Sequence, residues 1–292
     1  MTDYIYGGVS GVELPVPSFD LGSEVSLRKT YAHLTSPCIV AFSRPPAPGR
    51  PHGAPWKAAR GGFAYDIEVE LRMPQATPLS GHLDAKETIW LVAALCRLVK
   101  TPFLTVPVLS NEAFDSIPTL AGEPVLEPFE IEPRIFSPAD STGRTIDEDS
   151  LTWVRDHWVS CGNLFEKHSK FYDVLKAFDY AALRGRTSAA LIALWGGLEQ
   201  LFSPSPGELR FRVASVLSAY MHPYGPERLS AFKRILALYN ERSAAAHTSA
   251  NSALNPVVET YVLLRNVLVR IIDENCLPSQ DSLEALLFGG PV

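Results

Sequence analysis

The chain has 292 residues, of which 46% are apolar and 20% are charged, and its net charge is −6. A chain of this length and composition can bury a hydrophobic core, which excludes a disordered protein. The longest uninterrupted apolar run, residues 89–96, is less than half the length of a membrane span. The first residues lack a basic start followed by an apolar stretch. We therefore expect neither a membrane-spanning helix nor a signal peptide.

The four cysteines, at positions 38, 96, 161 and 276, are far apart and form no C-x-x-C pair. This spacing argues against a disulfide framework and against a zinc ribbon. Free thiols favour a reducing compartment, so we expect the protein in the cytoplasm. The sequence also has no glycine-rich phosphate loop, nucleophile elbow or metal cluster, and we expect no cofactor and no metal.

The negative charge is concentrated in one segment. Residues 112–149 carry a net charge of −8, while the residues before and after this segment each carry +1. The segment is either a solvated acidic linker or an acidic surface that repels or mimics nucleic acid. Neither flanking part has the basic excess of a protein that holds nucleic acid by phosphate contacts alone. Any handling of RNA must therefore depend on a local site.

Proline separates two parts of the chain, because 17 of the 24 prolines lie in residues 1–138. Proline breaks helices, so the first part is predicted to consist of strands and loops. Alternating apolar and polar residues predict strands over 63–73, 103–109 and 129–136. The five prolines of residues 44–55 indicate an irregular exposed loop. One helix is expected here, over 84–100, since it begins with acids and ends with bases.

The second part is predicted to be helical. The spacing of apolar residues indicates helices over 146–165, 171–183, 187–202, 208–220 and 227–246, and a final long helix capped by Asn255 with Pro256 in its first turn. We expect about six helices in an antiparallel bundle. The predicted fold class is α+β, with a β-rich domain over 1–145 and an all-α domain over 146–292, and the boundary between 138 and 150.

The most informative motif is LYNERSAAAHTS, residues 238–249, which places four residues between Arg242 and His247. The spacing alone is weak evidence for a site, because Arg28 and His33, in the proline-rich part, have the same spacing. The context is more specific. The motif follows two other stretches, ALWGGLEQLF at the end of a buried helix and then ELRFRVASVL. This order of helices resembles that of HEPN domains of the Apea-like branch. The resemblance covers about residues 150–275 and none of the first part.

Residues five apart on a helix point about 140° apart, so Arg242 and His247 converge only if His247 lies where the helix ends. The polar residues 247–255 predict such an end. A histidine can move protons near neutral pH, and an arginine can stabilise negative charge on a phosphorus-centred transition state. With the 2′-OH of RNA as the nucleophile, this pair suffices for cleavage without a metal.

The HEPN resemblance implies a metal-independent endoribonuclease that leaves a 2′,3′-cyclic phosphate and a 5′-OH, in a defence or toxin-like system. It also implies a homodimer through the helical domain that brings two His247 side chains to one cleft. The apolar residues of the last helix, which cover more than one face, agree with this. The first domain would then sense or recruit a protein or nucleic-acid trigger.

Three further residues are candidates for supporting roles. Glu199 could orient Arg242 or His247, or could instead pair with Arg210 or Arg212. Asn240 could contact a base or a phosphate. Ser243 follows the arginine where many HEPN relatives have Asn, Asp or His, although Apea-like domains often have Ser. For the whole protein, the alternative to the nuclease is a non-catalytic HEPN module for dimerisation and nucleic-acid or nucleotide binding.

Overall fold

The computed structural model describes residues 3–44, 48–50, 52–76, 79–134, 143–183, 185–202, 209–247 and 253–289, and at residue 247 it describes the backbone alone. The protein is a mixed α+β structure: strands and one α-helix precede residue 146, and helices follow it. None of the helices in these ranges has both the length and the apolar character needed to cross a membrane.

The first part forms a six-stranded sheet in which every neighbouring pair of strands is antiparallel. Its strands follow the spatial order β2-β3-β4-β1-β5-β6. The strands are β1 (Tyr4–Ser10), β2 (Ser18–Gly22), β3 (Val25–Ala41), β4 (Trp56–Pro74), β5 (Thr105–Ser110) and β6 (Leu126–Pro128). The predicted strands over 63–73 and 103–109 correspond to β4 and β5.

Helix α1 (Ala85–Val99) packs on one face of the sheet and matches the helix predicted over 84–100. Asp84 caps it in a capping box with Glu87. Two glycines of β1 allow close packing on both faces. A Cβ on Gly7 would lie 3.3 Å from the Ile89 side chain of α1, and one on Gly8 would lie 2.7 Å from Phe114 on the other face.

The strand predicted over 129–136 is wrong in position, since the strand lies at 126–128 and residues 129–134 form none. The amides of Phe129 and Glu130 still bond to the carbonyls of Pro107 and Val106. Pro107, which is in register with Phe129, has no backbone N–H to donate in return, so the regular ladder ends here. Residues 135 and 136 lie outside the described ranges.

Beyond residue 146 the described chain holds seven helices rather than about six. They are α2 (Glu148–Lys167), α3 (Ser169–Ala181), α4 (Thr187–Phe202), α5 (Leu209–Met221), α6 (Pro226–His247), α7 (Leu254–Glu274) and α8 (Gln280–Phe288). The sequence analysis missed α8. It also misplaced the cap of α7, whose N-cap is Ala253 with no side-chain hydrogen bond, although Pro256 does lie in the first turn.

The change of secondary structure near residue 146 does not divide the packing, because one hydrophobic cluster joins the sheet, α1 and the helices after residue 146. Trp158 of α2 is fully buried and donates its indole N–H to the carbonyl of Leu21 at 2.9 Å. Arg265 of α7 donates to the carbonyls of Leu98 and Val99 at the end of α1. The domains assigned to 1–145 and 146–292 thus share one core.

Candidate functional site

Two helices of the second part position the candidate site. Trp195 and Glu199 lie four residues apart on α4, and Tyr239 and Arg242 lie three residues apart on α6, so each pair projects from one side of its helix. The fully buried ring of Trp195 meets the ring of Tyr239 edge-on, with 5.0 Å between their centroids. This aromatic contact fixes α4 against α6 one turn below the charged pair.

Arg242 forms an ion pair with Glu199. Its Nη2 lies 3.2 Å from Glu199 Oε1 and donates a hydrogen bond to Oε2 at 3.3 Å. The side chains are 25% and 18% exposed, so the pair lies at the edge of the core with a side open to solvent. The guanidinium carbon is also 5.5 Å from the centroid of the Tyr239 ring. Of the partners considered for Glu199, the structure therefore places Arg242 beside it.

Three polar atoms at this place are buried without a hydrogen-bond partner in the described chain: Trp195 Nε1, Glu199 Oε1 and Arg242 Nε. A buried polar atom left unsatisfied costs about 1–3 kcal/mol, and native structures seldom group such atoms. The group includes two donors and one acceptor. It is therefore a place where a water molecule or a polar ligand would gain hydrogen bonds.

Tyr239 is 6% exposed, and burial, followed by the negative charge of Glu199, raises the pKa of its phenol. The phenol therefore stays protonated at neutral pH and does not titrate there. Its contacts with Trp195 and Arg242 assign it to packing between the helices.

Asn240 and Ser243 are not joined to the ion pair. Asn240 is exposed and accepts a hydrogen bond from Arg210 Nη1 at 3.1 Å, so Arg210 is bound on another side of α6. Ser243 is half-buried in the turn that carries Arg242, and in the described chain it makes no side-chain hydrogen bond to Arg242 or Glu199. A direct contact of Asn240 or Ser243 with RNA stays a prediction.

His247 is the last residue of α6, and its side chain lies outside what the structure describes. The polar break predicted over 247–255 falls mainly on residues 248–252, which are also outside the described ranges. The described part of α6 ends at the histidine, and convergence of His247 with Arg242 stays a prediction. The distance between the two side chains stays a prediction.

Arg28 and His33, which have the same spacing, form ion pairs with other residues of the chain. Arg28 of β3 lies 3.0 Å from Glu70, which is buried, and 2.9 Å from Asp115. His33 Nδ1 lies 2.8 Å from Asp66 Oδ1, and the hydrogen bond from His33 lowers the pKa of that carboxyl. Each member of the pair therefore has its own carboxylate.

Sequence analysis missed a buried charge cluster between the two parts of the chain. Arg97 of α1 lies 2.6 Å from Asp179 of α3 and 3.0 Å from Glu130, and Arg134 lies 3.1 Å from Asp179. Its two positive and two negative charges balance. Burial acts to raise the pKa of Asp179, but the charges of Arg97 and Arg134 outweigh it and hold that pKa below its ordinary value. The signal was present: a charged residue stands inside the apolar face of each helix.

A cleft of about 490 Å³ opens beside this cluster, and Trp90, Phe129, Glu130, Arg134 and Tyr180 are among the residues that line it. Of the charged residues that border the cleft, Glu130 and Arg134 are already paired within the cluster. The cluster therefore serves to join α1, α3 and residues 130–134. In the described ranges, no three His, Cys, Asp or Glu residues are grouped so that they could hold a metal ion.

Comparison with known proteins adds no relative: no family model, no curated protein and no solved structure matches the chain.

Proposed function

We propose that this chain is a metal-independent endoribonuclease of HEPN type in which Arg242 and His247 act on RNA. The observation that supports the proposal most is the ion pair between Glu199 and Arg242, which joins α4 to the helix that ends at His247. Arg28 of the other pair also lies beside a buried carboxylate, but in a strand of the sheet, whereas Arg242 lies on α6, the same helix as His247, and this helix packs against α4. On the same resemblance, we propose a role in a cytoplasmic defence or toxin-like system.

The proposed reaction needs no group beyond the protein and its RNA substrate. The 2′-oxygen of the RNA forms a bond to phosphorus, and the bond from phosphorus to the 5′-oxygen breaks. A neutral histidine accepts the proton of the 2′-OH, and a protonated histidine donates one to the leaving 5′-oxygen. The products are a 2′,3′-cyclic phosphate and a 5′-OH, and we assign both proton transfers to His247 side chains.

Arg242 stabilises the charge that develops on the phosphoryl oxygens, which requires a guanidinium that is held in place. Glu199 engages Nη2 of that guanidinium, while Nε remains without a hydrogen-bond partner in the described chain. We therefore assign Glu199 a positioning role.

A non-catalytic binding module is the second candidate, and the ion pair between Glu199 and Arg242 bears on the choice between the two functions. A carboxylate 3.2 Å from Arg242 offsets the positive charge that would attract a phosphate. A protein that cleaves RNA tolerates this cost because the arginine gains a fixed orientation. A protein that merely binds RNA does not need it, so removal of the carboxylate distinguishes the two functions.

The homodimer is proposed on the HEPN resemblance, and the packing of α7 weakens one argument for it. Most of the apolar residues of α7 that were expected to need a partner are buried within the chain, while Val258 and Val262 are half-buried. Leu264 and Ile271 are fully buried, and α1 contributes to their cover from the first part of the chain. Sedimentation of the full-length protein at micromolar concentration tests the dimer, and a monomer there contradicts it.

The experiment that tests the proposed function is incubation of the purified full-length protein with mixed RNA in the presence of EDTA. We expect cleavage with 2′,3′-cyclic phosphate and 5′-OH ends, which an end-specific kinase or phosphatase reveals. Binding of RNA without cleavage under every condition would support the binding module instead. Activity that requires an added metal would contradict the proposed mechanism.

A further inference from the structure

The hairpin of β3 and β4 extends beyond the rest of the sheet. β2 pairs with β3 as far as Arg28, and β1 pairs with β4 as far as Val69, so the remaining parts of β3 and β4 pair with each other alone. We call residues 36–44, 48–50 and 52–62 the ribbon arm. Residues 37–40 and 52–62 are all exposed. At about 3.3 Å per residue, the paired strands of the arm extend over about 20 Å.

The arm exposes large apolar side chains on both of its faces. Phe42 is 64% exposed, Ile39 57% and Trp56 52%. Val40 pairs with Lys57 and Ala41 pairs with Trp56, so neighbouring pairs present their side chains to opposite faces. A two-stranded ribbon is marginally stable in water by itself. Exposed aromatic rings on such a ribbon indicate a binding surface rather than a part of the core.

The charge of this region is opposite to that of the rest of the chain. Residues 25–65 contain six Lys or Arg and no Asp or Glu, so the other residues together carry −12. Four of the six cations, Arg44, Arg50, Lys57 and Arg60, belong to the arm. In the described part of the chain, none of these four lies within ion-pair distance of a carboxylate. They are therefore available to an anionic partner.

A local irregularity of the ribbon presents one of these cations. Pro37 faces Gly62 and Ile39 faces Ala58, so residues 59–61 of β4 stand opposite Cys38 alone. A bulge of this kind leaves backbone groups unpaired and increases the twist of the strand. Gly62 makes it possible, since a Cβ there would lie 2.1 Å from the Ser36 carbonyl oxygen. Arg60 lies in the middle of the bulge.

From this combination we infer that the ribbon arm binds single-stranded RNA. Cations without carboxylate partners attract the phosphates, and exposed aromatic rings stack on bases of any sequence. A duplex of RNA fits less well, because its deep and narrow major groove does not admit side chains. The arm of a second copy of the chain is disfavoured as the partner, because both arms carry positive charge. The inference rests on the proposed function for the identity of the partner as RNA, but the binding needs no cleavage.

The test measures binding of a short oligouridylate to the full-length His247→Ala protein in EDTA, so that the RNA stays intact whatever the function of His247. Trp56 is the one tryptophan of five that is largely exposed, and the other four are buried or half-buried. Stacking of a base should therefore quench the tryptophan fluorescence. Trp56→Ala should remove the quenching and weaken binding about five-fold or more, since stacking contributes about 1–3 kcal/mol per base.

A second variant, Lys57→Glu with Arg60→Glu, should weaken binding and reduce the slope of log Kd against log salt by about 1.4, at about 0.7 per phosphate contact. The control, Lys167→Glu with Lys170→Glu, changes the net charge equally on the exposed surface of α2 and α3 and should leave binding unchanged. Far-ultraviolet circular dichroism should be the same for these variants and for their His247→Ala parent, because the residues substituted in the arm and on α2 and α3 are exposed.

Three results would overturn the inference: no binding of oligouridylate by the parent protein, equal binding by the arm variants and the parent, or a fall in sedimenting mass caused by the arm variants without RNA. The last result would identify the arm as a contact between copies of the chain. Binding through the arm together with intact RNA in the wild-type protein would instead contradict the nuclease proposal and leave this inference supported.

Discussion

Arg97 and Asp179 form a buried ion pair across the change from sheet to helices, with Arg97 Nη2 2.6 Å from Asp179 Oδ2. Their side chains are 1% and 2% exposed. Trp90 Nε1 also donates a hydrogen bond to the same carboxylate, at 3.0 Å. A pair so deeply buried is costly to form and still more costly to break, because each partner leaves an uncompensated charge when the other is removed.

The first prediction concerns the stability that depends on this pair. Asp179→Asn should lower the free energy of unfolding by about 3–5 kcal/mol, the usual cost of breaking a buried pair. Urea denaturation of the full chain measures it. Asp173→Asn, six residues earlier on the same helix and exposed, is the matched control and should change little. Equal effects of the two substitutions would contradict a structural role for the pair.

The second prediction concerns acid. Since the folded protein holds the pKa of Asp179 below the ordinary value of 3.8, the unfolded chain binds the proton first as the pH falls. The stability that Asp179 contributes is therefore fully present above that value and is lost as the pH falls through the lower, folded pKa. Thermal midpoints of the wild-type protein should fall more steeply with acid there than those of Asp179→Asn. Parallel curves would contradict this.

The third prediction concerns the domain boundary. The sequence predicts that proteolysis between 138 and 150 releases a stable helical fragment, but the shared core predicts the opposite. A fragment of residues 146–292 loses the cover that α1 gives to α3 and α7, and it exposes Asp179 and Trp158. We expect it to lack a cooperative thermal transition by circular dichroism. A sharp transition in the isolated fragment would show that the helices fold without the sheet.

The sequence predicted the elements whose signals are local. Helix α4 was predicted over 187–202 because it is apolar on most sides and is followed by Pro204 and Pro206, and α1 because acids and bases mark its ends. A contact between residues that are distant in the sequence has no local pattern that identifies both partners. The ion pair of Arg97 with Asp179 joins positions 82 residues apart, and neither residue has a motif around it. The shared core was missed for that reason, since a change in proline content shows where secondary structure changes and not where packing ends.

The candidate site follows the same division. The helix that carries Arg242 could be predicted from the sequence, while the residues that follow His247 lie outside the described ranges. The ion pair of Glu199 with Arg242 could not be predicted, because the sequence also allowed Arg210 and Arg212 as partners. The packing of α4 against α6 brings Glu199 and Arg242 together. The ribbon arm was predicted in part, as an irregular loop over 44–55. Its strands continue beyond the sheet because β3 and β4 pair over their full length, a property of register rather than of composition.

The fourth prediction separates the two candidate functions through Glu199. Glu199→Gln keeps the size of the side chain and removes its charge. If Glu199 positions Arg242, cleavage by the variant should show a lower kcat with little change in KM. Glu199→Asp should restore part of the loss. If the chain is a binding module, the freed arginine should instead bind RNA more tightly, and the variant should show a lower Kd with no cleavage.

The fifth prediction concerns the reacting groups themselves. His247→Ala should lower the rate of RNA cleavage about 10²- to 10⁴-fold, because it removes the group that transfers the proton. Arg242→Lys should also fail to cleave RNA, since an ammonium cannot present the planar fork of donors that a guanidinium presents to phosphate. The lysine variant is preferable to alanine because it leaves Glu199 paired with a positive charge. Gel analysis of RNA products in EDTA, with thermal midpoints to verify folding, measures both effects.

The control for this experiment is the pair with identical spacing in the sheet. His33→Ala should leave cleavage unchanged, because its partner Asp66 is exposed and can be solvated when the histidine is removed. Arg28→Ala is a harsher control, since it leaves the buried carboxylate of Glu70 without its ion pair and should lower stability without abolishing cleavage by the folded protein. Loss of cleavage in His33→Ala, with full activity in His247→Ala, would move the site to the sheet and overturn the assignment to α6.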